Sequence, residues 1–167
     1  MHPKFKRADS WSRNVIGAAV EVHRNKGPGL IESIYQKCLM RELFLRNIPA
    51  LQQLVVAVEY KGFIFDEPLK LDVYVDDCLL LELKAVEKVL PIHKAQLLSY
   101  MKLLNAPLGL LINFHEPRLI DGIHRMILPA ADGIGFEKTG SREGFDTGED
   151  DRGSLFETES SKDGKGQ

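Results

Sequence analysis

In the stretch LKLDVYVDDCLLLELK, residues 69–84, three charged side chains interrupt an apolar pattern: Asp72 between Leu71 and Val73, and Glu82 and Lys84 on either side of Leu83. On a β-strand, residues two apart share a face, so Glu82 and Lys84 point one way while Leu79, Leu81, Leu83 and Ala85 point the other, toward a core. Two carboxylates and an ammonium on a mostly apolar sheet are costly to desolvate without a partner. A divalent cation resolves that cost. Mg²⁺ (or Mn²⁺) prefers oxygen ligands, typically one or two carboxylates with waters and substrate phosphate. Asp72, Glu82 and a strand carbonyl such as that of Leu83 supply three oxygens. A metal held there polarises a phosphoryl oxygen and lowers the pKa of bound water, and Lys84 can orient that water and stabilise transition-state charge. The same short string also fits a plain salt bridge, with Glu82, Lys84 and Asp72 on a wetted face.

Whether Asp72 joins the Glu82 face depends on the hairpin register. A three-residue loop, Asp76-Asp77-Cys78, sets Asp72 across from Glu82. A two-residue loop of Asp76-Asp77 pairs Asp72 with Leu81 and sends the acids to opposite faces. The first register also puts Leu71, Val73 and Val75 on the core side with Leu79, Leu81 and Leu83, and is preferred.

The elements that must hold this hairpin can be read around it. Ser10 is expected to cap a helix over residues 11–25, with Val15, Ala18, Ala19 and Val22 at helical spacing. Lys26-Gly27-Pro28-Gly29 breaks the chain. A second helix is expected over residues 30–46, with Ile31, Ile34, Cys38 and Leu45 inward. Strands are expected over residues 54–60, 63–65, Leu69–Val75 and 79–85. Pro91 suits the first turn of a helix reaching Leu104, with Ala95, Leu98 and Met101 as its apolar side. Leu108–Asn113 is a continuous apolar run typical of a strand buried on both faces, and a last strand is expected over residues 120–128. The class is α/β (α+β).

The 167 residues suit one domain with a tail. Residues 130–167 hold eight of the 14 glycines and ten acids against five bases, a net −5 that leaves +3 for residues 1–129 of the chain's −2. This acidic, Gly-rich segment lacks any period and is expected to be disordered. A body of +3 permits a polyanionic ligand without demanding one. Two cysteines, Cys38 and Cys78, exclude a disulfide scaffold or a zinc cluster of CxxC pairs. No apolar run is long enough for a membrane span, and the charged start has no apolar stretch behind it, so a soluble cytoplasmic protein is expected.

Further strings carry a resemblance. Gly29-Leu30-Ile31-Glu32-Ser33-Ile34-Tyr35 fits G-x-x-E-x-x-Y, upstream of Asp72 and Glu82-Leu83-Lys84. Then come Ala85-Val86-Glu87, the run from Pro91 to Tyr100 (PIHKAQLLSY), and Gly109-Leu110-Leu111-Ile112-Asn113-Phe114. In this order they resemble the bacterial GxxExxY protein family, a branch of the PD-(D/E)XK nuclease-like superfamily, over about residues 10–128. The resemblance implies a restriction-endonuclease-like core, a mixed β-sheet flanked by helices in αβββαβ order. It also implies a metal-dependent nuclease acting on DNA or RNA, with Glu32, Asp72 and Glu82 holding or positioning metal and Lys84 and Gln96 handling water and phosphate. Lys70 stands where the family usually has arginine, keeping the charge but losing the planar fork. Bland roles compete for some of these residues. Glu32 also complements a helix dipole, Tyr35 suits a core position with its hydroxyl at the rim, and the Gln96 face also fits the solvated side of an amphipathic helix. A module of the same fold that binds nucleic acid or protein without chemistry is the alternative function.

Overall fold

Residues 1–129 and 131–133 are described by a computed structural model, and over them three helices and seven strands form. The first helix, α1 (Phe5–Lys26), buries Ala8, Val15, Ala18, Ala19 and Val22. It starts before the expected residue 11 because Phe5 and Ala8 extend the apolar stripe into the core. Ser10 therefore lies inside the helix and caps nothing. Gly27 ends it at φ 66°, where a glycine costs least, with its N–H donating to the His23 carbonyl.

The second helix, α2 (Glu32–Leu45), buries Tyr35, Leu39 and Leu43. The expected inward set is out of phase: Ile31 is 69% and Leu45 57% exposed, Ile34 is exposed and Cys38 half-buried. Tyr35 sets the rotation. Its ring stacks on Phe114 at 4.5 Å between centroids, while its hydroxyl donates to the Gly27 carbonyl and accepts from the Leu30 N–H at 3.1 Å. A buried aromatic with both ends engaged outweighs an isoleucine left in water.

Five strands form one sheet in the order β1 (Ala50–Val56), β4 (Leu69–Val75), β5 (Leu79–Lys84), β6 (Leu108–Asn113), β7 (Ile123–Ile127). Only β5 and β6 run parallel, joined by α3 (Pro91–Leu104), as a parallel pair requires a crossover. The short hairpin β2 (Glu59–Tyr60) and β3 (Phe63–Ile64) stands apart as its own two-stranded sheet, turning at Lys61-Gly62, both at positive φ. The expected strand over 54–60 is thus the end of β1 plus β2. The one over 120–128 is a 3-10 turn (Leu119–Gly122) followed by β7.

The sheet lies between two helical layers. Val73, Val75, Leu79, Leu81, Leu83, Leu108, Leu110 and Ile112 pack with α1 and α2. Leu71, Tyr74, Leu80 and Leu111 pack with Leu97 and Met101 of α3. Met101 is buried as expected, but Leu97 takes the place expected of Ala95, which is exposed. The order α2, β1, β4, β5, α3, β6 is the expected αβββαβ, with β2–β3 inserted after its first strand.

Packing continues past residue 129: Ala131 is buried, and its carbonyl accepts from the His2 N–H at 2.7 Å. Disorder is expected over residues 130–167, of which residue 130 and residues 134–167 lie outside the described residues.

Candidate active site

The β4–β5 hairpin adopts the register that faces Asp72 toward Glu82, with Val73 paired to Leu81, Tyr74 to Leu80 and Val75 to Leu79. Its three-residue loop is closed by Asp76 and Asp77 in the left-handed region, at φ 45° and 51°. Those conformations suit aspartate better than most residues. Helix α1 pins the loop: Trp11 Nε1 donates to Asp76 at 2.8 Å, Arg7 pairs with Asp76, and Lys4 pairs with Asp77.

Beyond Val73 and Leu81 the two strands part. The β4 strand stays paired with β1 as far as Leu69, and β5 stays paired with β6 as far as Lys84, but β4 and β5 are no longer joined. The side-chain alternation of β4 slips at the same point. Leu71, expected beside Val73 and Val75, packs instead on the α3 side, while Val73 and Val75 pack against α1 and α2. The break falls at Asp72, opposite Gln53 of β1, whose φ is 51°.

The sheet's missing backbone partners are replaced by side chains. Asp72 Oδ2 accepts from the Leu83 N–H at 2.8 Å, and the Asp72 carbonyl accepts from Gln36 Nε2 at 3.3 Å. Lys84 Nζ donates to Glu82 Oε1 at 2.6 Å, in a pair where the glutamate is only 3% exposed. Glu32, the first residue of α2, lies within electrostatic reach of Lys84, Asp72 and His93.

Burial dominates the protonation of this cluster. It pushes the carboxyls of Glu32, Asp72 and Glu82 above their ordinary values, and the acids' mutual repulsion adds to the rise at Glu32 and Glu82. Lys84 opposes the rise at all three, and the Leu83 N–H opposes it at Asp72. For Lys84 itself, burial is the largest single influence and lowers its pKa. The hydrogen bond to Glu82 and the charges of all three acids together outweigh burial, and the net shift is upward. Fully ionised, three carboxylates against one ammonium leave two negative charges in excess.

The expected convergence of three acids on a single ion is not present. Among the described residues, no three His, Cys, Asp or Glu side chains are grouped to hold a metal. Each acid is engaged differently: Glu82 by Lys84, Asp72 by the Leu83 N–H, and Glu32 by more distant charges. Gln96 is not drawn in either. Its amide donates to Tyr100 on its own helix at 3.1 Å, and no hydrogen bond among the described residues joins it to Asp72, Glu82 or Lys84. His93 closes the start of α3, its Nδ1 accepting from the Leu90 N–H.

A family model described as the PD-(D/E)XK nuclease superfamily matches residues 9–126. The chain belongs to the PD-(D/E)XK nuclease superfamily. The match takes in the three helices from residue 9 onward, all but the last residue of the sheet, and every residue of the parted hairpin. Neither a curated protein nor a solved structure matches the chain.

Two residues of this PD-(D/E)XK domain escape the sequence reading. Gln36 lies one turn after Glu32 and bridges the break, bonded to the Asp72 carbonyl and to Gln53 at 3.0 Å. Its signal was the i, i+4 spacing from Glu32. Asn113, noted only as part of a string, is fully buried at the end of β6 beside Lys84. An asparagine closing an otherwise apolar strand was its signal. Among the described residues no helix is long and apolar enough to cross a membrane.

Proposed function

We propose that the protein is a Mg²⁺- or Mn²⁺-dependent nuclease of the GxxExxY branch, hydrolysing phosphodiester bonds of DNA or RNA. The carrying observation is the parting of β4 from β5 at Asp72 and Glu82, beside Lys84, in a member of a nuclease superfamily. The donor set suits a hard divalent cation. Asp72 and Glu82 supply carboxylate oxygens with excess negative charge in a desolvated setting, and Mg²⁺ needs only one or two carboxylates with waters around it. A strand residue sends its N–H and C=O from the same edge, so the Leu83 carbonyl leaves toward Asp72 along with the N–H that Asp72 accepts. Glu32 then acts on bound water rather than as a direct ligand.

When bound, the ion supplies Lewis-acid polarisation of the phosphoryl group and a water acidic enough to attack near neutral pH. The protein does the rest. Lys84 spends one of its three N–H donors on Glu82 and has two for the attacking water or a phosphoryl oxygen. The Glu82 carboxylate keeps that amine charged and placed. Gln96 spends one of its two amide N–H donors on Tyr100 and keeps the other for phosphate.

Purified protein should nick DNA or RNA with Mg²⁺ or Mn²⁺ and not with a chelator, and Asp72→Ala should abolish the cleavage. Activity that survives in Glu82→Ala overturns the assignment. One observation favours the silent binding module: Glu82 is already neutralised by Lys84. Calorimetry separates the two readings, since the module takes up no Mg²⁺ that depends on Asp72.

A further inference from the structure

We infer that Asn113 is a positioning residue for this site, clamping the backbone that follows Lys84 so that the ammonium is held against Glu82. The inference rests on the nuclease reading for its catalytic consequence only; the clamp itself is geometric.

The β5 ladder ends at Lys84, paired with Asn113. Past that point the chain leaves for the loop that leads to α3, and its backbone groups need other partners. The Asn113 side chain provides them. Its Oδ1 accepts from the Val86 N–H at 3.0 Å and its Nδ2 donates to the Val86 carbonyl at 2.8 Å, so one side-chain amide continues the ladder as a peptide group would. The next residue adds a further tie, Phe114 N–H donating to the Lys84 carbonyl at 2.7 Å. Residues 84 and 86 are thereby fixed on the β6 side, and Ala85 between them sends its N–H to the opposite edge.

The clamp has a rigid backing. Asn113 is fully buried, and its Oδ1 also accepts from the His115 N–H at 3.4 Å. Gly122 lies so close behind it that a methyl group there would stand 2.5 Å from the Asn113 carbonyl oxygen and 2.8 Å from Glu116 Cγ. His23 of α1 holds the same loop, its Nε2 bonded to the Glu116 carbonyl at 2.8 Å. Aspartate at 113 is nearly isosteric but, when ionised, cannot donate to Val86. Alanine at 122 leaves the amide intact and displaces it.

The test uses full-length Asn113→Asp, with Gly122→Ala as the variant that carries it should the first not fold. In the metal-free protein, Val86 amide exchange should quicken and the ¹⁵Nζ signal of Lys84 should shift. Mg²⁺ affinity by calorimetry should fall about 10–100-fold, the range expected when groups supporting a ligand shell are lost. With nucleic acid as substrate, kcat should fall while KM stays close to the parent value. A variant whose Val86 amide exchanges freely but whose Lys84 signal, Mg²⁺ affinity and kcat match the parent overturns the inference. If the parent protein neither takes up Mg²⁺ nor cleaves, the nuclease reading fails. The clamp then stands or falls on the Lys84 signal alone, an unchanged signal refuting it.

Discussion

The two ends of the β4–β5 hairpin are built from the same pair of strands and treat charge in opposite ways. At the turn, the backbone ladder is complete and the aspartates face outward to Lys4, Arg7 and Trp11. The Lys4 and Asp77 side chains are 34% and 70% exposed, so water screens their pair and its loss costs little. At the open end, the ladder is missing and the charges are inside: the Lys84 and Glu82 side chains are 13% and 4% exposed. A buried pair of this kind contributes little net stability over an apolar replacement, yet breaking it on one side alone is expensive. The turn is thus a structural fastening, while the open end keeps an excess of negative charge that the fold alone does not neutralise.

The widest gap between the ends should appear in activity. Lys84→Met should slow metal-dependent cleavage by about 10²–10³-fold, the usual result of removing a preorganised donor to transition-state charge. Lys4→Ala should leave the rate unchanged. A Lys84→Met protein cleaving at the parental rate breaks the comparison.

Stability comes next. Lys84→Met strands the buried Glu82 carboxylate and should cost about 3–5 kcal/mol near neutral pH by urea denaturation. The loss should shrink on acidification, because Glu82 can then take up a proton. Asp77→Asn should cost less than about 1 kcal/mol under the same conditions.

The pH dependence sharpens the contrast through its sign. Burial raises the Asp72 carboxyl above its unfolded value, so its contribution to stability is full below about pH 4 and is lost as pH climbs through the folded value. Asp72→Asn keeps an acceptor for the Leu83 N–H, so thermal melts of the metal-free protein should favour the variant increasingly as pH rises. Mg²⁺ should raise the melting temperature of the parent and not of the variant. Asp77 behaves the other way. The hydrogen bond from Lys4 holds its carboxyl below the ordinary value, so its contribution is present at neutral pH and disappears on acidification.

Local pattern alone was enough to find the hairpin, its loop and its register. Alternation places Leu79, Leu81 and Leu83 on one face, and only a three-residue loop lets Asp72 meet Glu82. The limits of Leu69–Val75, Pro91–Leu104 and Leu108–Asn113 were legible for the same reason, each bounded by turn residues or proline. The face of α2 was not. Ile31, Ile34 and Leu45 are as apolar as Leu39 and Leu43, and only the docking of Tyr35 between Phe114 and the Gly27 carbonyl chose the rotation. The slip of Leu71 to the other face of the sheet was equally hidden, falling where Asp72 lies opposite Gln53, a residue at φ 51° on a different strand.

The amino-acid sequence by itself determined which groups could do chemistry and which strands carry them, because side-chain type and period are local properties of the chain. Tertiary structure alone decided that β4 and β5 part at those groups, that Lys84 claims Glu82, and that Asn113 holds the backbone behind them. Those outcomes depend on partners far apart in the chain, where a hydrogen bond is formed or lost by displacements of less than an ångström.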